Sequence, residues 1–258
     1  MLALYCFGNW FPQNNVSLDF FLTETKLLYV QYDNKNRVAS FRVSSLKTAP
    51  QKEVGEKFEK TNPAPGMTTA PSSESNTDKG TRYAKQGRYD EAILEFTKAI
   101  EINPRDVKAY NNRGIAYGRK GEYDKAISDY SKTIEIDPIH FYPYFGRAQA
   151  YDEKNEYDKA ISDYSKVIEL NPNIAQAYNN RAFSYNAKSK YDEAISDCNK
   201  AISISPNYAG AYYNRSIAYY NKKSYDKSWD DMHKAESLGL EISSEFIEKL
   251  KKDSGREK

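Results

Sequence analysis

The chain has 258 residues with 38 basic and 36 acidic side chains, 39% hydrophobic and 29% charged content. That length allows one or two domains with a sizeable core, while the balanced charge excludes a phosphate-backbone footprint, so no nucleic acid is expected. No apolar run reaches the roughly 18 residues that cross a bilayer, so no membrane span is expected. Cys6 and Cys198 lie far apart and do not read as a disulfide framework. The first residues lack the basic start and long apolar stretch of a signal peptide. Cytoplasm and bacterial cell envelope or periplasm both stay open.

In chain order, residues 1–46 read as an incomplete β-containing region. Lys26 to Tyr32 and Arg37 to Val43 are rich in Val, Tyr and Phe and flank Asp33-Asn34-Lys35-Asn36, the pattern of a β-hairpin with a four-residue loop. A hairpin alone is marginal in water, so a larger domain with a missing beginning is expected. Leu27 to Val43 faintly resembles the closing hairpin of small outer-membrane assembly lipoproteins, which would imply an envelope assembly or structural role. Residues 47–72 carry Pro50, Pro63, Pro65 and Pro71 among Thr, Ser, Lys and Glu, and read as a disordered linker.

From residue 73 to 242 the chain superimposes on itself at a shift of 34, in five units: 73–106, 107–140, 141–174, 175–208 and 209–242. Tyr83, Tyr117, Tyr151, Tyr185 and Tyr219 form one column, and Tyr89, Tyr123, Tyr157, Tyr191 and Tyr225 another. Small residues recur at Gly80, Gly114, Ala148, Ala182 and Ser216, and again at Ala92, Ala126, Ala160, Ala194 and Ser228. Pro104, Pro138, Pro172 and Pro206 close units. Within a unit, Tyr110, Gly114 and Tyr117 fall on one helical face, then Ala126, Ile127, Tyr130 and Ile134 on a second.

Gly87, Gly121, Asn155, Ser189 and Lys223 stand at the turn between the two helices, where a left-handed residue ends the first; lysine is the poorest fit. Asp90, Asp124, Asp158, Asp192 and Asp226 are placed to cap the second helix or oppose its positive end. Pro143 falls in a first helical turn. Arg113, Arg147, Arg181 and Arg215 precede Asp129, Asp163, Asp197 and Asp231 by 16 residues, with Lys79 and Glu95 in the first unit. The pattern predicts ion pairs tying the helices of a unit, or adjacent units. Residues 243–258 hold Phe246, Ile247 and Leu250 after Gly239, and read as a capping helix with a tail.

These small, Tyr, small, aromatic and Pro columns resemble the tetratricopeptide repeat. The resemblance implies an all-α fold, a right-handed α-solenoid of five helix pairs plus the cap, whose first helices line a concave groove for a protein or peptide partner. The groove residues it implies are Lys108, Asn111, Asn112, Ile115 and Arg119; Tyr142, Phe145, Gln149 and Asp152; Gln176, Asn179, Asn180, Phe183 and Asn186; and Tyr213, Asn214, Ile217 and Tyr220. Amides that donate and accept suit an extended backbone, and aromatics receive side chains. Chaperone-tail members of the family clamp a carboxylate with lysines; here Asn111, Phe145, Asn179 and Tyr213 occupy those places. A neutral, aromatic groove for a peptide or amphipathic helix is expected.

The sequence contains no phosphate-cradling glycine loop, HExxH or paired CxxC. His140 and His233 stand singly at repeat edges and read as solvated. Cys198 falls in the column of Phe96, Tyr130, Tyr164 and Met232 and reads as a core filler, and Cys6 has no basic neighbour to lower its pKa. No catalytic, cofactor or metal residues are assigned, and an enzyme is not expected. The reading is a protein-binding scaffold; the alternative is a cell-envelope assembly factor using the repeats for complex formation. The partner and the oligomeric state are not legible.

Overall fold

A computed structural model describes residues 74–256 and the backbone of three strands nearer the N-terminus. The chain divides into two units, residues 1–70 and 71–258. In the first unit, β1 (Leu18–Thr23), β2 (Lys26–Tyr32) and β3 (Val38–Ser45) form an antiparallel sheet in the order β1-β2-β3. The register runs from Lys26 opposite Ser45 to Tyr32 opposite Val38, with an irregularity between Gln31 and Tyr32. The hairpin pattern of the sequence falls on β2 and β3; β1 carries no turn signal that the sequence reading used. Cys6 and the linker at 47–72 lie outside the described residues.

The second unit is a row of helix pairs: α1 (Asn76–Lys85) and α2 (Tyr89–Ile102); α3 (Val107–Arg119) and α4 (Tyr123–Ile136); α5 (Phe141–Glu153) and α6 (Tyr157–Leu170); α7 (Ala175–Ala187) and α8 (Tyr191–Ile204); α9 (Ala209–Asn221) and α10 (Tyr225–Ser237). A last helix, α11 (Ser244–Ser254), follows. Each first helix ends the same way. Gly87, Gly121, Asn155, Ser189 and Lys223 all adopt positive φ, between 57° and 76°. Lys223 thus holds the turn that glycine holds in the first two units, at the steric cost of a β-carbon.

The small columns let paired helices approach, and one large side chain per unit fills the gap. Ala92, Ala126, Ala160 and Ala194 are wholly buried. Phe96, Tyr130, Tyr164, Cys198 and Met232 are buried beside them; sequestering an aromatic of this kind contributes about 2–3 kcal/mol. Both ends of the row are marked. Where later units bury Ala109 and Ala116 against the unit before, the first presents exposed Ser75 and Arg82, a polar face suited to a terminus. At the other end Leu250 of α11 stands in register with the small column and is fully buried with Trp229 and Met232. Leu250 fills there, with a larger side chain, the place that Gly80, Gly114, Ala148, Ala182 and Ser216 hold in the five units.

The recurring ion pair ties both within and between units. Arg181 donates to both carboxylate oxygens of Asp197, at 2.7 and 2.8 Å, and with its third nitrogen to Ser165 of the preceding unit at 2.8 Å. Arg113 does the same with Asp129 and Thr97, Arg147 with Asp163 and Ser131, and Arg215 with Asp231 and Asn199. In the first unit Lys79 reaches Glu95 at 3.3 Å. The aspartates at the start of the second helices stand in the first turn, where they oppose its positive end as expected, but they do not cap it. They sit one residue inside the helix, whose cap residues make no side-chain bond. There they pair with a cation 30 residues on, in the next unit: Asp90 with Lys120, Asp124 with Lys154, Asp158 with Lys188, Asp192 with Lys222, and Asp226 with Arg256. Arg256 continues this ladder just past α11, which is therefore seated as the first helix of a sixth unit.

Candidate interaction groove

The first helices α3, α5, α7 and α9 carry the residues expected to meet a partner, and packing sorts these residues into three groups. The first is open. Lys108 and Gln176 are exposed, Ile115 and Tyr142 are 37% and 51% exposed, and Asn111, Asn112, Arg119, Gln149 and Asn180 are partly exposed. Lys108 reaches Asp78 at 3.2 Å, and Asn112 donates to Thr81 at 3.3 Å.

The second group is consumed by the fold. Phe145 is 4% exposed and meets the Tyr164 ring edge-on at 5.6 Å. Asn179 and Asn214 are 8% and 7% exposed. Asn214 donates to the Asn179 side-chain oxygen at 2.9 Å, and Asn179 donates to Asn180 at 3.2 Å. Asn186 donates to the backbone oxygen of Asn214 at 2.8 Å. Amides placed to grip a guest backbone instead bind α7 to α9, because two neighbouring helices supply each other's partners at closer range. Phe145, Asn179 and Asn214 are thus buried between helices rather than open to solvent.

The third group is covered by α11. The Phe246 ring meets Tyr213 at 5.8 Å and Tyr220 at 5.7 Å, both near edge-on. The Tyr220 hydroxyl is bonded to Asp253, and Trp229 donates to Ser254 at 3.1 Å. Phe183 and Ile217 are half-buried, Phe183 edge-on to Tyr157. The exposed candidates thus lie on α3, α5 and the start of α7, while those on α9 are partly or fully buried.

One carboxylate on this face stands apart. Asp152, near the end of α5, accepts from the Tyr164 hydroxyl of α6 at 2.8 Å and from the Ser184 hydroxyl of α7 at 2.6 Å. Burial pushes its carboxyl up to about 7, against the lowering effect of the two hydroxyls and with a further push from neighbouring Glu153. Glu153 is itself raised by burial and accepts from Tyr123 at 3.3 Å. The sequence reading placed Asp152 on the inner face without its partners. The available signal was Ser184, a hydroxyl in a column that reads Arg82, Ala116, Ala150 and Ala218 in the other units.

The other polar candidates are ordinary. Cys198 is fully buried, and burial pushes its thiol far up, as expected of a core filler. His140 lies 3.2 Å from Asp137, and His233 stacks on Trp229. Among the described residues no three His, Cys, Asp or Glu side chains gather as a metal site, and no helix is long and apolar enough to cross a membrane.

Comparison with known proteins agrees with this architecture. A model described as TPR repeat matches residues 80–121, and one described as Tetratricopeptide repeat matches 107–140, 142–174 and 175–208. No curated protein matches the chain. Among solved structures, a crystal structure of MamA is 27% identical with a TM-score of 0.59, covering 62% of this chain and 93% of that one. MamA from Desulfovibrio magneticus shares 18% identity with a TM-score of 0.61, covering 63% and 92%. YrrB, a TPR protein with an unusual peptide-binding site, shares 20% identity with a TM-score of 0.57, covering 64% and 84%. With the family models spanning the first four units and the solenoid superimposing on these structures, the chain belongs to the tetratricopeptide repeat family.

Proposed function

We propose that the protein is a non-catalytic scaffold that holds a peptide or helix of a partner protein against the inner face of α3, α5 and α7. The coarser part, an interaction scaffold, is supported by the repeats and by the MamA and YrrB solenoids. The finer part is carried by one observation. Exposed Ile115 and Tyr142 alternate with partly exposed Gln149 and exposed Gln176, whose amides make no side-chain hydrogen bond among the described residues. An apolar surface interrupted by unspent donors and acceptors suits a guest chain that presents both side chains and backbone. Such a contact has an affinity of about micromolar, or −8 kcal/mol.

The test is affinity capture with the full chain beside a variant carrying Ile115→Glu, Tyr142→Ala and Gln176→Ala. The variant is expected to keep its helicity and lose a partner that the wild type retains. Equal capture by both would overturn the groove assignment. A second variant, Tyr213→Ala, targets a residue beneath α11 and is expected to leave capture unchanged.

A further inference from the structure

Two tyrosines hold the same place at successive junctions of the row and differ in what meets their hydroxyls. Tyr164 is wholly buried and donates to Asp152, which also accepts from Ser184. One unit earlier the same place holds Tyr130, while Asp152, Asn180 and Ser184 are replaced by Gly118, Gly146 and Ala150. The phenol is kept and three polar side chains are gone. Tyr130 is only 5% exposed, yet its hydroxyl makes no hydrogen bond among the described residues. A buried donor left in that state is costly. Among the described residues, Asn186 Oδ1 is the one side-chain oxygen or nitrogen both sealed from solvent and without a partner. The Tyr130 oxygen therefore keeps an opening.

Two glycines frame that opening. On α5, a β-carbon on Gly146 would lie 2.8 Å from the Tyr130 oxygen, so the hydroxyl stands where a side chain would begin. Gly146 shares a helix face with exposed Tyr142, four residues before it, and partly exposed Gln149, three after. On α3, Gly118 follows exposed Ile115 by three residues, and a β-carbon there would meet nothing within 4 Å. A notch is left at Gly118, on the side of the exposed candidates, with an unpartnered phenol aimed into it. Arg119, next to Gly118, is partly exposed. Burial pushes the Tyr130 phenol up, and the positive charge of Arg119 opposes that rise. A neutral O–H donor close to a cation suits an anionic acceptor.

We propose that this notch takes the carboxylate of an Asp or Glu side chain on the guest, which fills the place of the side chain missing at Gly118 and accepts from the Tyr130 hydroxyl. Asp152 is the example built into the fold: from the same position of the next unit its carboxylate meets the Tyr164 hydroxyl at 2.8 Å. The gap is that of one missing side chain, so a side chain enters it and the guest backbone stays outside. The notch deepens the reading of the inner face given above and rests on it.

The test uses the full chain and three fluorescent, capped nonapeptide libraries, randomised except for a central Asp, Asn or Ala, with binding read by anisotropy. Wild type is expected to bind the Asp library about tenfold more tightly than the Ala library, the size of one hydrogen bond to a charged group, with Asn between. Tyr130→Phe removes one oxygen atom and should abolish that preference. Its melting temperature should not fall, because the hydroxyl has no partner in the fold, whereas Tyr164→Phe should melt lower. Gly118→Asp supplies the acceptor from within, as Asp152 does, and should also abolish the preference while helicity is kept. A wild type with no preference for Asp over Ala would overturn the notch, as would a preference that survives either variant. The variant with Ile115→Glu, Tyr142→Ala and Gln176→Ala separates the two readings. If it loses all three libraries while wild type binds them alike, the inner face holds guests and the notch falls. If it binds them as wild type does, the groove assignment falls instead.

Discussion

The ring of Tyr130 occupies the space that a β-carbon on Gly146 would need. An ideal Cβ there would come within 2.5 Å of Tyr130 Cζ and 2.8 Å of its hydroxyl oxygen. The same ring lies 3.0 Å from a Cβ built on Gly114 of its own unit. One tyrosine is thus held between glycines of two successive units. Gly146 stands in the column of Asp78, Asn112, Asn180 and Asn214, and here the Tyr130 ring takes the space that a side chain would need.

Gly146→Ala should therefore be destabilising by about 1–3 kcal/mol, since the ring must leave its place in a packed core. Chemical denaturation would measure this. Tyr130→Leu in the same chain should recover part of the loss by vacating the space. If the double variant is as unstable as the sum of the two singles, the contact is not the cause.

The two ion-pair systems should behave very differently. Arg181 and Asp197 are 17% and 9% exposed, and Arg181→Ala leaves the carboxylate buried with no partner. A loss of about 3–5 kcal/mol is expected, nearly independent of salt. Lys154 pairs with an Asp124 that is 83% exposed, so Lys154→Ala should cost about 0–1 kcal/mol, less still in high salt. Urea titrations at low and high salt separate the two cases; equal losses would contradict the burial argument.

Lys223 has φ of 59° at a position where Gly87 and Gly121 serve in the first two units. Lys223→Gly should stabilise the fifth unit by roughly 1 kcal/mol, because the left-handed strain exceeds the added freedom of glycine in the unfolded chain. Thermal melting would show it as a rise. Gly121→Lys should show the opposite sign, and a fall for both would indicate that the two turns are not equivalent.

The sequence alone was enough for the helix pairs, their 34-residue register, the left-handed turns and the arginine–aspartate columns. These features are local or recur at a fixed separation, so five copies of the pattern state them five times. The ladder from Asp90 to Lys120 also recurs, at 30 residues, yet aspartate near a helix start has a ready local explanation that concealed it.

Tertiary structure alone decided which inner-face residues remain open. Asn111, Asn179 and Tyr213 share one column, but Asn179 is claimed by Asn214 and Tyr213 by Phe246, while Asn111 stays partly exposed. Periodicity says which face of a helix a side chain occupies. What it meets there depends on the neighbouring helix, whose residues at that height differ from unit to unit. Asp152 and its two hydroxyls, 12 and 32 residues away, could be joined only once three helices were packed together.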